Sequence, residues 1–308
     1  MSLSIGTNDS AMRASQAASI AARGMEASME RLSTGKRINS ASDDAAGVAI
    51  SSRLSAEVRG TNQSVRNALD AQALLDTAEG SHKEIENVLQ RMREIAVQSA
   101  NDTNNTQDRL NLQTEMNSMI KEIDRIAHAT TWAGQNLLDG DANGDPDTNA
   151  AFSFQVGSAT GTQNQISVNI GSTTAESLGL THTDGNSLAI VIADATATAN
   201  GRTATEHVTG NAATTAAGNA MVTIGVIDAA IEEINTQRST LGATANRLNH
   251  TVNNLTNISA NLSSAQGRIQ DADFAIETTN LAKNQILQQA STAMLAQANA
   301  SQANVLGL

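Results

Sequence analysis

From Ile224 onward, apolar residues recur in alternating steps of three and four: Ile224, Ile227, Ile231, Ile234, Arg238, Leu241, Ala245, Leu248, Val252, Leu255, Ser259, Leu262, Gln266, Ile269. All fourteen positions hold the alternation, and only Arg238, Ser259 and Gln266 are not apolar. A stripe of this period is dry only when a second helix covers it, so the chain is committed to a coiled-coil seam. At about 1.5 Å per residue, the stretch forms a rod of roughly 70 Å.

The N-terminal half supplies partners of the same period. Ala71, Leu74, Ala78, Ser81, Ile85, Val88, Met92 and Ile95 keep the alternation, as do Leu112, Met116, Met119, Ile123 and Ile126. Upstream, Leu54, Val58, Thr61, Val65 and Ala68 form a stripe that slips register before Ala71. The polar stretch ANDTNNTQD at 100–108 is short, so the helices it joins are expected to be antiparallel neighbours. Two weaker tracts lie at the chain ends. One spans about 10–33 and carries Ala18, Ala22, Met25, Met29 and Leu32; the other spans about 272–304 and carries Leu287, Ala290, Met294 and Ala298. Both stripes are narrow, and such helices are marginal in water without outside packing. Between the helical tracts, AFSFQV at 151–156 and NQISVNI at 164–170 alternate with period two and predict a strand pair. Residues 181–220, rich in Ala, Thr, Gly and Asn, read as a variable surface insert. The expected fold is mainly α: a long antiparallel helical bundle formed by both chain ends, with a small β region in the middle.

Composition fits that plan. Hydrophobic residues make up 40% but aromatics only 1%: Trp132, Phe152, Phe154 and Phe274. Ala, Leu, Ile, Val and Met suit interdigitating helix seams. Pro146 is the sole proline and there is no cysteine, so disulfide and thiolate chemistry are excluded. A net charge of −12 argues against binding nucleic acid through its phosphates. The N-terminal MSLSIGTNDSAMRASQ has no apolar core of the Sec type, and no apolar run is long enough to span a bilayer. Neither a nucleic-acid nor a membrane partner is expected, and a chain that leaves the cell would need another export route.

Most of the polar features read as structural. In RINSASDDAAGVAISSRL (37–54), the helix of 10–33 stops at Gly35 and the next starts near Asp43. Ser42 is placed to cap it, with Asp43 and Asp44 in its first turn, where carboxylates complement the helix dipole. No histidine or third acid accompanies them, so the stretch reads as a joint, with no catalytic residue. Asp139, Asp141, Asn143 and Gly144 resemble half a calcium loop, but the twelfth position is Ala150 and a strand follows, so an acidic turn is the better reading and no metal is expected. His82, His128, His182, His207 and His250 are spread along the chain and read as surface or flank residues. No nucleotide loop or nucleophile elbow occurs, so neither a cofactor nor an enzymatic activity is expected.

Three long motifs carry a resemblance. LSTGKRINSASDDAAGVAISSRL (32–54), LQRMREIAVQSAN (89–101) and RIQDADFAIETTNLAKNQILQQASTAMLAQANASQANVLGL (268–308) resemble blocks of bacterial flagellin, and FQVGSATGTQNQISVNI with SLGL (154–180) is similar to its strand region. The resemblance covers about 1–180 and 221–308. It implies an inner terminal coiled-coil domain with its spoke (1–41 and 267–308), a helical core domain with a β-hairpin region (42–180 and 221–266), and a short insert (181–220). By resemblance, Arg37, Asn39, Asp43 and Asp44 belong to the spoke, and the stripes of the two terminal tracts assemble against other copies. Arg91, Ile95 and Glu115 match positions that contact the animal Toll-like receptor for flagellin, although Ile95 also sits on the heptad as a core residue. The family implies a secreted, self-assembling filament subunit for motility, whose further partners are a secretion chaperone, the filament cap and hook-junction proteins. A hook–filament junction protein and a helical-bundle enzyme are the alternatives; against the enzyme, the seam positions are aliphatic where an inward metal set would be needed.

Overall fold

The computed structural model describes residues 8–140, 150–180, 198–199, 202–203 and 216–306. Five helices dominate: α1 (Asp9–Thr34), α2 (Ala45–Ser99), α3 (Thr106–Ala129), α4 (Ala216–Gln270) and α5 (Phe274–Leu306). Antiparallel strand pairs are β1 (Thr131–Trp132) with β2 (Gln135–Asn136), β3 (Ala150–Gln155) with β4 (Gln165–Ile170), and β5 (Thr198–Ala199) with β6 (Arg202–Thr203). The mainly α class with a small β region therefore holds. The chain forms two compact units, Met1–Arg59 with Ile258–Leu308 (unit 1) and Gly60–Asn257 (unit 2).

Unit 2 holds the apolar core. The heptad of α4 buries Ile227, Ile234, Leu241 and Leu248, while Ile224, Ile231, Ala245 and Val252 flank them half-buried. From α2 come Leu75, Ile85, Leu89, Met92 and Ile95; from α3 come Met116, Ile120 and Ile123. Polar pairs at the margins fix the directions. Arg91 Nη2 meets Glu115 Oε1 at 3.0 Å, and Ser81 Oγ meets Thr130 Oγ1 at 2.9 Å, so α2 and α3 run antiparallel across the short 100–105 connection. Arg93 Nε lies 2.6 Å from Asp228, and Arg238 pairs with Glu86, so α2 and α4 are antiparallel too. Because α2 is covered by more than one neighbour, its buried face is wider than a single heptad. Leu89 and His82 are fully buried, whereas the heptad positions Ser81 and Val88 are only half-buried. His82 thus departs from the surface position expected for it.

The hairpin lays one face on this core. Ala150, Phe152 and Phe154 pair with Ile170, Val168 and Ile166, and all six side chains share that face with period two. Leu137 and Leu138, just after α3, and Ala175, Leu178 and Leu180, beyond β4, are also buried. Thr173 N donates to the Leu138 carbonyl at 2.9 Å, and the Asp124 carboxylate of α3 accepts from Ala175 N at 2.7 Å. These non-periodic stretches carry no helix or strand signal; their leucines become core only because such bonds fold them back.

In unit 1, Gly35 ends α1 at φ 70°, a left-handed conformation that glycine adopts without cost. The start of α2 departs from expectation. The helix begins at Ala45, and its cap is Asp44, whose Oδ1 accepts from Gly47 N at 2.9 Å. Ser42 instead shares a hydrogen bond with Ser40 at 2.6 Å. Asp43 precedes the helix and closes a turn, its Oδ2 accepting from Ser40 N at 2.9 Å, Asn39 N at 3.1 Å and Ser40 Oγ at 3.0 Å. Donation from these backbone amides holds the Asp43 carboxyl below its usual value.

Two expectations follow. Asp44→Ala should cost about 1 kcal/mol in chemical denaturation, whereas Ser42→Ala should stay within roughly 0.5 kcal/mol of the parent. Ile234→Ala, at a fully buried seam position, should cost about 2–5 kcal/mol; a cost no larger than that of Ser42→Ala would show the seam is not where stability resides.

Candidate assembly surface

α1 and α5 pack on each other in unit 1. The less exposed positions on α1 are Ala11, Ala14, Ala18, Ala21, Met25, Ser28 and Leu32; on α5 they are Glu277, Leu281, Asn284, Gln288, Ser291, Leu295 and Ala298. Both sets keep steps of three and four, so this is a coiled-coil seam in geometry. In chemistry it is unlike the core of unit 2, because small and polar side chains dominate it. The helices close tightly at Gly24, where an added Cβ would sit 2.7 Å from Asn284 Nδ2. Glu277 is buried and its Oε1 takes an ion pair from Arg31 at 3.1 Å. At the other end, Asn8 caps α1 and also donates to the Ala298 carbonyl at 3.2 Å.

Apart from Met25, Leu32, Leu281 and Leu295 in the seam, the larger apolar side chains of the two helices face outward. On α5, Ile276 (58% exposed), Leu287 and Met294 (65%) lie in solvent with Phe274 and Ile286; on α1, Met12, Ile20 and Met29 do the same. Leu287 precedes the seam residue Gln288, and Met294 precedes Leu295, so this stripe is turned about 100° from the seam. Of the α5 stripe Leu287, Ala290, Met294 and Ala298, only Ala298 is buried; of the α1 stripe, Ala18, Ala22, Met25 and Leu32 are partly covered and Met29 is exposed.

The joint residues tie α1, α4 and α5 within the same unit. Arg37 N donates to the Gln270 carbonyl at 2.7 Å, and the Arg37 guanidinium to that of Ile269 at 2.9 Å. Ala272 N donates to the Gly35 carbonyl at 2.9 Å, and Lys36 bridges Asp271 in antiparallel fashion. Ser51 of α2 reaches Gln270 Oε1 at 3.1 Å. Arg37 thereby satisfies a carbonyl in the last turn of α4 that the helix itself leaves open. Asn39, at the start of the turn closed by Asp43, donates to the Lys36 carbonyl at 3.3 Å. The sequence offered no sign of this backbone pairing, because neither segment has strand composition.

In unit 2, Arg91 is exposed, donates to both Glu94 (2.9 Å) and Glu115 (3.0 Å), and is held charged by them. Ile95 is different: it is fully buried in the helical core. Its side chain packs in the seam, as its heptad position implied. His128 Nδ1 meets Asp139 Oδ1 at 2.9 Å, engaging the first carboxylate of the calcium-like turn; Asp141 to Asp147 lie outside the described residues, as do His182 and His207. Among the described residues, no helix is long and apolar enough to cross a membrane.

Comparison with known proteins agrees with the architecture. The bacterial flagellin N-terminal helical region matches residues 5–143, and the bacterial flagellin C-terminal helical region matches 224–308. Flagellin of Bacillus subtilis is 40% identical over 287 residues, covering 91% of each chain. The flagellar filament 30.7 kDa core protein of Treponema maltophilum is 34% identical over 99% of each. In structure, a putative flagellar hook-associated protein from Vibrio parahaemolyticus aligns with a TM-score of 0.54 over 74% of this chain and 100% of its own, at 16% identity, a likeness of fold. With both terminal helical regions matched and relatives aligned almost end to end, this chain belongs to the bacterial flagellins, structural subunits of the flagellar filament.

Proposed function

We propose that the filament is built through the outward stripes of α1 and α5, and that neighbouring copies complete the folding of these helices. The observation that carries this reading is the inversion within unit 1. Apart from Met25, Leu32, Leu281 and Leu295, the residues facing the partner helix are small or polar, while Ile276, Leu287, Met294, Met12, Ile20 and Met29 face solvent. A seam of small side chains removes little apolar area from water, at about 25 cal/mol per Å². Ordering the backbone costs about 1–2 kcal/mol per residue. The exposed stripes are the remaining source of burial, and a second copy of the chain offers a surface of matching kind. Contacts of one stripe with a different surface of the next copy do not close on themselves and propagate as a helical fibre. Of the expected assembly stripe, Met29, Leu287, Ala290 and Met294 are the outward assembly residues, while Ala18, Met25, Leu32 and Ala298, with Ala22 beside them, hold the α1–α5 seam that presents them, set by the joint at Arg37, Asn39, Asp43 and Asp44.

The same logic extends to the other expected partners. A secretion chaperone would cover the α5 stripe before assembly, and the cap and hook-junction proteins would present the first complementary surfaces. Marginal terminal helices also suit a chain exported in unfolded form. For the animal receptor, exposed Arg91 and Glu115 are the retained contacts, with Ile95 supporting the helix from within.

Leu287→Lys combined with Met294→Lys should leave the helical content and melting of dilute monomer unchanged, because both sites are exposed. It should abolish polymerisation in sedimentation and electron microscopy. Filaments in parental yield would refute the stripe. Arg91→Ala with Glu115→Ala breaks an exposed, solvent-screened pair, so folding should survive while activation of receptor reporter cells falls. Parental potency of that double variant would remove both residues from the receptor contact.

A further inference from the structure

His82 occupies a seam position of α2 between Ala78 and Ile85, with no solvent exposure. Neither ring nitrogen has a hydrogen-bond partner among the described residues. A buried polar ring without partners is expensive, so its presence in an otherwise aliphatic seam calls for a role. The charge that acts on it from across the seam opposes a cation. From α4 it faces the Arg238 guanidinium, which already raises the cost of a positive ring. Glu79 and Glu86, one turn to either side on α2, both turn to Arg238, at 3.7 Å for Glu79. On the α3 side, the cleft against α2 is lined by Glu122 and Arg125, which pair at 2.6 Å, and by Asp76 and Glu84 of α2. The hairpin and its flank, 150–180, carry a single titratable side chain, Glu176, which is exposed. Among the described residues, no carboxylate hydrogen-bonds the His82 ring.

We propose that His82 is an acid-triggered release in unit 2: a proton on its ring cannot be held beside Arg238, so the α2–α4 seam opens to hydrate it.

Burial first, and Arg238 second, lower the folded-state pKa of His82 from 6.5 to about 4. The unfolded chain therefore takes up the proton as pH falls through about 6.5, while the folded chain refuses it until about 4. Stability from the neutral ring is complete above the unfolded pKa, is lost progressively below it, and is wholly gone below the folded one. By linkage, the ratio of unfolded to folded unit 2 rises through this group by about thirty-fold at pH 5 and about three-hundred-fold below pH 4.

The test compares full-length monomer with His82→Leu, which fills the seam with an apolar side chain and cannot titrate. Denaturant unfolding at pH 7 and pH 5 reports the ratio. Other groups titrate alike in both proteins, so the parent should lose about twenty-fold more than the variant between the two pH values. Should His82→Leu fail to fold, His82→Gln serves the same comparison. Independently, the imidazole resonances of the parent are followed by NMR from pH 8 to the onset of unfolding. The His82 signal should stay neutral well below pH 6 and begin to protonate only as unit 2 opens. Equal pH dependence in parent and variant, or a His82 signal titrating near 6.5 in folded protein, overturns the proposal.

Discussion

Unit 2 depends on one interaction: the burial of the α4 stripe against α2 and α3. Ile227, Ile234, Leu241 and Leu248 are near or at zero exposure, and they meet Leu75, Ile85, Leu89, Met92, Ile120 and Ile123 in a single cluster. This is the part of the chain that can offset its own ordering entropy. The hairpin and the 171–180 segment are accessories to it, held down by Val168, Ile170, Leu178 and Leu180 and by the Asp124 carboxylate.

Unit 1 keeps the same helical period but not the same chemistry. Its seam is mostly alanine on one side and largely polar on the other, with Met25, Leu32, Leu281 and Leu295 as its larger apolar residues and a buried Glu277 paired to half-exposed Arg31. Large apolar residues, normally spent inside, are left on the surface. In a protein that works alone this would be an aggregation hazard; in a filament subunit, aggregation in a set geometry is the function. Charge supports the division. Residues 1–59 and 258–308 carry nine basic and nine acidic side chains, so the whole net charge of −12 falls in unit 2. A neutral unit can crowd against copies of itself, whereas an acidic one favours solvent.

Polar groups inside unit 2 divide into two kinds. Ser81, Thr130 and Asp124 fasten loops and helices by ordinary hydrogen bonds. His82 makes none, and Arg238 enters the α4 heptad to collect Glu79 and Glu86. The break at Arg238 in an aliphatic stripe is visible in the sequence, but its consequence for a histidine on another helix is not, because the two are 156 positions apart.

The sequence alone determined the elements: the three-and-four period of α2, α3 and α4, the period-two pair at 151–156 and 164–170, and the stop at Gly35. Each is a local signal, written in residue spacing or in backbone freedom. The family was legible for the same reason, since its motifs are contiguous. Tertiary structure decided which flank of each stripe faces a partner. It put His82 inside, gave the cap of α2 to Asp44 instead of Ser42, paired residues 35–37 with 270–272, and turned Leu287 and Met294 away from α1. On a helix, adjacent residues lie about 100° apart, so which of two neighbouring positions is buried depends on how many helices crowd that side, and spacing along one chain cannot record the direction from which its neighbours approach.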